Sequence, residues 1–302
     1  MANQPVFGRT YISFDWALKR LLRNKASFVI LEGFLTELLQ QEIKVKNLLE
    51  SESNLNAEDE KSNRVDLLCE NYSRELVIIE IQYHSELDYF QRMLFGTSKL
   101  ITEYLSRGQA YRNVRKVYSV NIIYFDLGQG DDYIYHGAVS FNGTHLNDQL
   151  KLSKNQQQRF GRLLAGDLYP EYFILKINNF DNVARSPIDE WIYYLKTSEL
   201  PVNFTAKGLS EVEQQLKINN MSPELLAKYM KAAEGLNITE SMIETAYEEG
   251  EFNGLEKGLE KGIEKGIEKG IEKGKALVLE QMVVNAFSND LSVRFIAEIV
   301  EI

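Results

Sequence analysis

The chain has 302 residues, room for about two domains at roughly 150 residues each, and its 44% hydrophobic and 26% charged content excludes a disordered chain. With 34 Lys+Arg against 44 Asp+Glu the net charge is -10, so the molecule as a whole repels nucleic acid and anionic lipid, and DNA contact requires a segregated basic patch. The longest apolar stretches, 28–31 and 276–279, are far shorter than the ~20 residues a spanning helix needs, so no membrane segment is expected. The opening Met1-Ala2-Asn3-Gln4-Pro5 has neither the basic nor the apolar region of a secretory signal. A single cysteine, Cys69, excludes an internal disulfide and a Cys-based zinc site, and a cytoplasmic location is expected.

Ser13 or Asp15 is placed to cap a helix whose apolar positions between Trp16 and Leu39 recur at helical spacing, as one long helix or as two broken near Asn24. Residues 51–60 are polar and acidic and read as a loop. Strands are predicted over 64–70 and 75–83, separated by the turn-prone Asn71-Tyr72-Ser73-Arg74. Apolar residues at Leu87, Phe90, Leu94, Leu100, Ile101, Tyr104 and Leu105 predict a helix within 86–107 that ends near Gly108. The β-branched and aromatic run 117–125 predicts a buried strand, followed by strands at 133–141 and 172–177.

After Pro187 the pattern turns helical, through 191–196, 211–216, 223–233 and 239–249. The order of elements predicts an α/β core with a mixed sheet over 1–200 and a helical C-terminal region over 201–302. Within that region, 254–274 repeats Gly-Ile/Leu-Glu-Lys five times. In a helix each four-residue step turns roughly 400°, so the row Leu255, Leu259, Ile263, Ile267 and Ile271 winds slowly beside a row of glycines. Such a row permits close packing with a partner helix. Against that, each Gly costs about 0.8–1 kcal/mol relative to Ala, and Lys257 before Glu260 is the less favourable order for a helical ion pair. The segment reads either as a low-complexity solvated linker or frayed helix, or as a coiled self-association element.

Chemistry concentrates on the two strands at 64–70 and 75–83. In a hairpin centred on Ser73, Asp66 faces Glu80, and Gln82 shares the Glu80 face by the two-residue period. Two carboxylates that close repel unless a cation neutralises them. Oxygen ligands of this kind suit Mg²⁺ or Mn²⁺, which can activate water and stabilise charge on a phosphodiester. The same spacing also fits two acids on a solvated sheet face, although Leu68, Leu76 and Ile78 lie on that face too. His84, two residues beyond Gln82, reads as a proton carrier or as a structural hydrogen-bond donor at a strand end.

The run Arg64-Val65-Asp66-Leu67-Leu68, then Val77-Ile78-Ile79-Glu80-Ile81-Gln82, then Phe90-Gln91-Arg92, and later Leu105-Ser106-Arg107-Gly108-Gln109-Ala110-Tyr111 resembles the PD-(D/E)XK nuclease family transposases, the Rpn family of recombination-promoting nucleases. Phe14-Asp15-Trp16-Ala17-Leu18-Lys19 is similar to the Asp-x-x-Phe-Lys opening of that family, with Leu18 in place of its Phe. The resemblance covers about residues 10–126. It implies a restriction-endonuclease-like core, metal-dependent DNA cleavage and a part in recombination or mobile elements. By position, it implies that Asp66 is the metal-ligating strand carboxylate and Glu80 the acid of the Glu-x-Lys motif. Gln82 stands where the usual lysine would be, and an amide can orient water but cannot supply positive charge or take a proton as an amine does. Asp15 is implied as a third acidic ligand, with an N-cap as its ordinary alternative.

A basic patch is present in the sequence. Between Gln91 and Lys116 lie Arg92, Lys99, Arg107, Arg112, Arg115 and Lys116 against the single acid Glu103. Beside the motif residues, Arg92, Lys99 and Arg107 are candidates for phosphate contact. The expectation is a DNA endonuclease using Mg²⁺ or Mn²⁺, with Asp66, Glu80 and Gln82 as catalytic residues and self-association through the C-terminal helices. Its alternative is a nuclease-like scaffold that binds DNA or protein and no longer cleaves.

Overall fold

The computed structural model describes residues 10–20, 25–49, 66–105, 108–289, 292 and 294. The chain divides into two compact units, Met1–Tyr229 and Met230–Ile302. Its elements in order are α1 (Phe14–Arg20), α2 (Phe28–Leu39), β1 (Val45–Leu49), β2 (Leu67–Asn71), β3 (Leu76–Gln82), α3 (Tyr89–Glu103), β4 (Val117–Ile123), β5 (Ile134–Gly137), α4 (Lys154–Phe160), β6 (Glu171–Lys176), α5 (Pro187–Thr197), α6 (Leu209–Gln215) and α7 (Pro223–Ser288).

Six strands form one mixed sheet in the order β1-β2-β3-β4-β6-β5. The β1–β2, β2–β3 and β5–β6 pairs are antiparallel, whereas β3–β4 and β4–β6 are parallel. Helix α3 makes the crossover between the parallel neighbours β3 and β4, a connection that short hairpin turns cannot supply.

Strand alternation divides the sheet residues between two apolar layers. Cys69, Val77, Ile79, Ile81, Val120 and Ile122 enter the larger core with Phe14 of α1, Phe34 of α2, Trp191 of α5 and Val212 of α6. Phe14 anchors it, its ring centroid 5.4 Å from Phe34 and 5.9 Å from Trp191. Helix α2 approaches the 207–208 backbone so closely that a Cβ on Gly33 would lie 2.3 Å from the Lys207 carbonyl oxygen. That same oxygen accepts the Trp191 indole N–H at 3.1 Å. On the opposite face Leu68, Leu76, Ile78 and Val117 pack with Leu100 of α3, and Ile123 packs with Tyr89 and Met93.

The mixed α/β core is as expected; β3, β4 and β5 are shorter than predicted, β6 is shifted by one residue, and residues 64 and 65 of the first predicted strand lie outside the described residues. Helix α3 starts at Tyr89, and its buried residues are Tyr89, Met93, Gly96, Thr97 and Leu100. Leu87 therefore precedes the helix, and Leu87, Phe90 and Leu94, three of the apolar positions that predicted it, are exposed. Two elements went unanticipated. β1 is an edge strand with a register shift between Val45 and Asn47, so its alternation is broken. α4 is a polar helix started by a capping box in which Ser153 and Gln156 satisfy each other's backbone N–H groups. Helices α1 and α2 are separate, and residues 21–24 between them lie outside the described residues, as does the predicted loop at 51–60.

The change to a helical pattern near residue 200 lies inside the first unit, where α5 and α6 contribute to the larger core. In the second unit the Gly-Ile/Leu-Glu-Lys repeat is helical throughout, as part of α7. Leu255, Leu259, Ile263, Ile267 and Ile271 are all exposed, and a Cβ at Gly254, Gly258, Gly262, Gly266, Gly270 or Gly274 would meet nothing within 4 Å. No helix among the described residues is long and apolar enough to cross a membrane.

Candidate active site

The site is set by how β2 and β3 pair. Leu67 lies opposite Ile79, Leu68 opposite Ile78 and Glu70 opposite Leu76, which is the register of a hairpin centred on Ser73. Asp66 immediately precedes β2, and Ile81 N–H donates to its Oδ2 at 2.7 Å. Glu80 continues the Leu76, Ile78 face of β3 and is only 7% exposed.

Helix α1 enters from the larger core. Asp15 and Lys19 are one turn apart, in the favourable acid-first order, and Lys19 Nζ lies 2.7 Å from Asp15 Oδ1 and 3.4 Å from Asp66 Oδ1. One ammonium thus joins the helix carboxylate to the strand carboxylate. Burial raises the Asp15 pKa; Lys19 opposes that shift and Asp66 adds to it. For Lys19, burial works to lower the pKa, but the two carboxylates outweigh it and the net shift is upward.

Helix α3 closes the other side. Burial pushes the Glu80 carboxyl up to about 7; Arg92 works against this, and the charges of Asp66 and Glu86 add to it. Arg92 Nε is 3.8 Å from Glu80 Oε2, too long for a hydrogen bond, and that buried N–H has no hydrogen-bond partner among the described residues. The guanidinium is engaged instead by Glu86, whose Oε1 accepts from Arg92 Nη1 at 2.7 Å and from Gln82 Nε2 at 2.9 Å. Gln82 Nε2 also donates to the His84 carbonyl at 3.2 Å. His84 contributes its backbone here, while its side chain is exposed.

Four residues given no role in the sequence reading belong to this neighbourhood. Lys19 was signalled by its four-residue spacing from Asp15. Glu86 had no signal beyond proximity. Asn121 is a polar residue inside an apolar strand, buried, opposite Glu80 in the parallel β3–β4 register, and donates to the Phe173 carbonyl at 3.2 Å. Tyr89, the first residue of α3, donates its hydroxyl to Asn121 Oδ1 at 3.4 Å, and burial, then the Glu80 charge, raises its pKa.

The basic segment is less available than its composition suggests. Arg92 pairs with Glu86, Arg115 lies 3.6 Å from Glu70, and Lys116 lies 2.7 Å from Glu171, all acids outside the segment. Lys99 is half-buried on α3, Arg112 is exposed, and Arg107 lies outside the described residues.

Among the described residues no group of three or more His, Cys, Asp or Glu side chains is assembled to hold a metal ion, so Asp15, Asp66 and Glu80 do not form a three-ligand cage. Their chemistry nevertheless fits a hard divalent cation. All three offer carboxylate oxygens, and Asp15 Oδ1 is buried with the Lys19 ion pair but no hydrogen bond of normal geometry. Mg²⁺ is commonly held by one or two carboxylates, with water and substrate phosphate completing its shell.

A mixed sheet flanked by helices, with an acid ahead of one strand and a second acid inside its antiparallel neighbour, is a restriction-endonuclease-like PD-(D/E)XK fold. Residues 12–246 match the sequence model of the PD-(D/E)XK nuclease family transposases, and the chain belongs to that family. Comparison with curated proteins and with solved structures finds no match.

Because the folded-state pKa of Glu80 lies above its ordinary value of 4.5, ionising it costs stability as pH rises from 4.5 through about 7. Glu80→Gln removes that cost. The variant is expected to be more stable than wild type at pH 8, by up to about 3 kcal/mol, with the gain shrinking to nothing as pH falls towards 4.5. Denaturant melts across this range check it, and a pH-independent difference contradicts it.

Proposed function

We propose that this chain is a DNA endonuclease dependent on Mg²⁺ or Mn²⁺, acting in the cytoplasm on phosphodiester bonds in recombination or mobile-element movement. The observation that carries this reading is the β2–β3 pairing, which sets Asp66 ahead of one strand and buried Glu80 within the other. Membership of a nuclease-type family, whose fold generally uses divalent ions and takes DNA as substrate, supports it.

Asp66 and Glu80 would hold the ion, with Asp15 as a further oxygen, and the ion would neutralise phosphate charge and activate water. Gln82, whose amide nitrogen donates to Glu86, would orient water through its amide. Arg92 and Lys99 on α3, with Arg107, are assigned to the phosphate. Apolar packing of Leu68, Ile78 and Leu100 beside Glu80 keeps the local dielectric low, which strengthens each of these charge contacts.

Supercoiled plasmid incubated with Mg²⁺ or Mn²⁺ tests the reading. Wild type is expected to nick or linearise it, and Asp66→Ala and Glu80→Ala are each expected to lose at least 100-fold of the rate (~2.7 kcal/mol). Cleavage that survives both substitutions contradicts the site. DNA binding without cleavage by folded wild type favours the inactive scaffold, a reading that the replacement of the motif lysine by Gln82 keeps in view.

The partner reading includes a second copy of the chain. In α7 the isoleucines form a ridge and the glycines an adjacent groove, both along four-residue rows, so one helix carries both halves of a ridge-into-groove crossing near -50°. Each repeat holds one Glu and one Lys and is neutral, so two copies meet there without the repulsion of a chain whose net charge is -10. Light scattering is expected to give a multiple of the chain mass for wild type and a lower multiple for Ile263→Asp/Ile267→Asp. An unchanged mass contradicts this interface.

A further inference from the structure

The motif position that usually holds a lysine is Gln82, yet the neighbourhood does contain a lysine, and it comes from a different element. Lys19 reaches from α1 to within 2.7 Å of Asp15 and 3.4 Å of Asp66. The two carboxylates it joins are mostly buried, while the Lys19 side chain is 42% exposed. Its ammonium therefore sits between buried acids on one side and solvent on the other, and it can leave without disturbing the apolar packing of Phe14, Ala17 and Leu18 on the same helix. If it leaves, the two carboxylates lose the ammonium that joins them, and a positive ion of similar reach can take its place.

We propose that Lys19 is the resident cation of this acidic pair, and that a divalent ion binds by displacing its ammonium from Asp15 and Asp66. Lys19 is a positioning residue in this arrangement. It holds the strand and helix carboxylates together before the ion arrives, and its ammonium, once released, would be available to a phosphate. Among the described residues, Arg92 is less suited to the exchange, because it is held at 2.7 Å by Glu86 and stands 3.8 Å from Glu80. The inference rests on the proposed metal site, and the competition it implies is specific to Lys19.

Calorimetric titration of the full chain with Mn²⁺, without DNA, tests the exchange. Removal of the competing ammonium in Lys19→Met is expected to tighten Mn²⁺ binding about tenfold, and Lys19→Gln is expected to do the same in a polar form should the Met variant fold poorly. Lys19→Arg keeps the charge and is expected to bind no tighter than wild type. Equal or weaker binding by folded Met and Gln variants overturns the proposal. If Asp66→Ala abolishes binding while those variants match wild type, the metal site stands and the role of Lys19 falls. Absence of Mn²⁺ binding by every folded variant, wild type included, removes both.

Discussion

A carboxylate taken into a sheet beside a second carboxylate holds its charge only if a cation comes within reach. Glu80 meets that constraint on one side and Asp66 on the other, and much of the surrounding architecture is an answer to it. Arg92 approaches Glu80 from α3 and Lys19 approaches Asp66 from α1, yet burial still pushes the Glu80 carboxyl up to about 7, with Arg92, shared with Glu86, opposing the shift only in part. The site is left short of positive charge, which a divalent ion bound there would supply.

The two cations arrive from opposite layers. Helix α1 belongs to the larger core with α2, α5 and α6, whereas α3 packs on the other face of the sheet against Leu68, Ile78 and Val117. Asp66 precedes β2, which runs antiparallel to β3, so it meets the C-terminal end of β3 and the backbone N–H of Ile81. That junction is where both layers can contribute side chains. Aromatic packing of Phe14 against Phe34 and Trp191 holds α1 in place, and Lys19 inherits its position from it.

The strand pair was legible in the sequence because hairpin arithmetic needs only a turn and two alternating runs: Asn71-Tyr72-Ser73-Arg74 supplied the turn and the observed register follows from it. The mixed sheet was legible because its central strands are rich in β-branched and aromatic residues. The exposed face of α3 was misjudged because Leu87, Phe90 and Leu94 are apolar at helical spacing, and spacing alone does not say which face the sheet covers. β1 and α4 were illegible, one through its bulge and the other through its polar composition. Within the site, the role of Lys19 is not legible in the sequence, because contact between α1 and the start of β2 is tertiary. Counting charges in 91–116 overstated the free basic surface, since the acids that pair with Arg115 and Lys116 lie elsewhere in the chain.

Anomalous scattering from crystals grown with Mn²⁺ tests the central claim most directly. A metal site built on Asp66 and Glu80 predicts a Mn²⁺ peak within about 2.0–2.6 Å of an oxygen from each carboxylate. A peak that touches neither carboxylate, or none at saturating Mn²⁺, contradicts it.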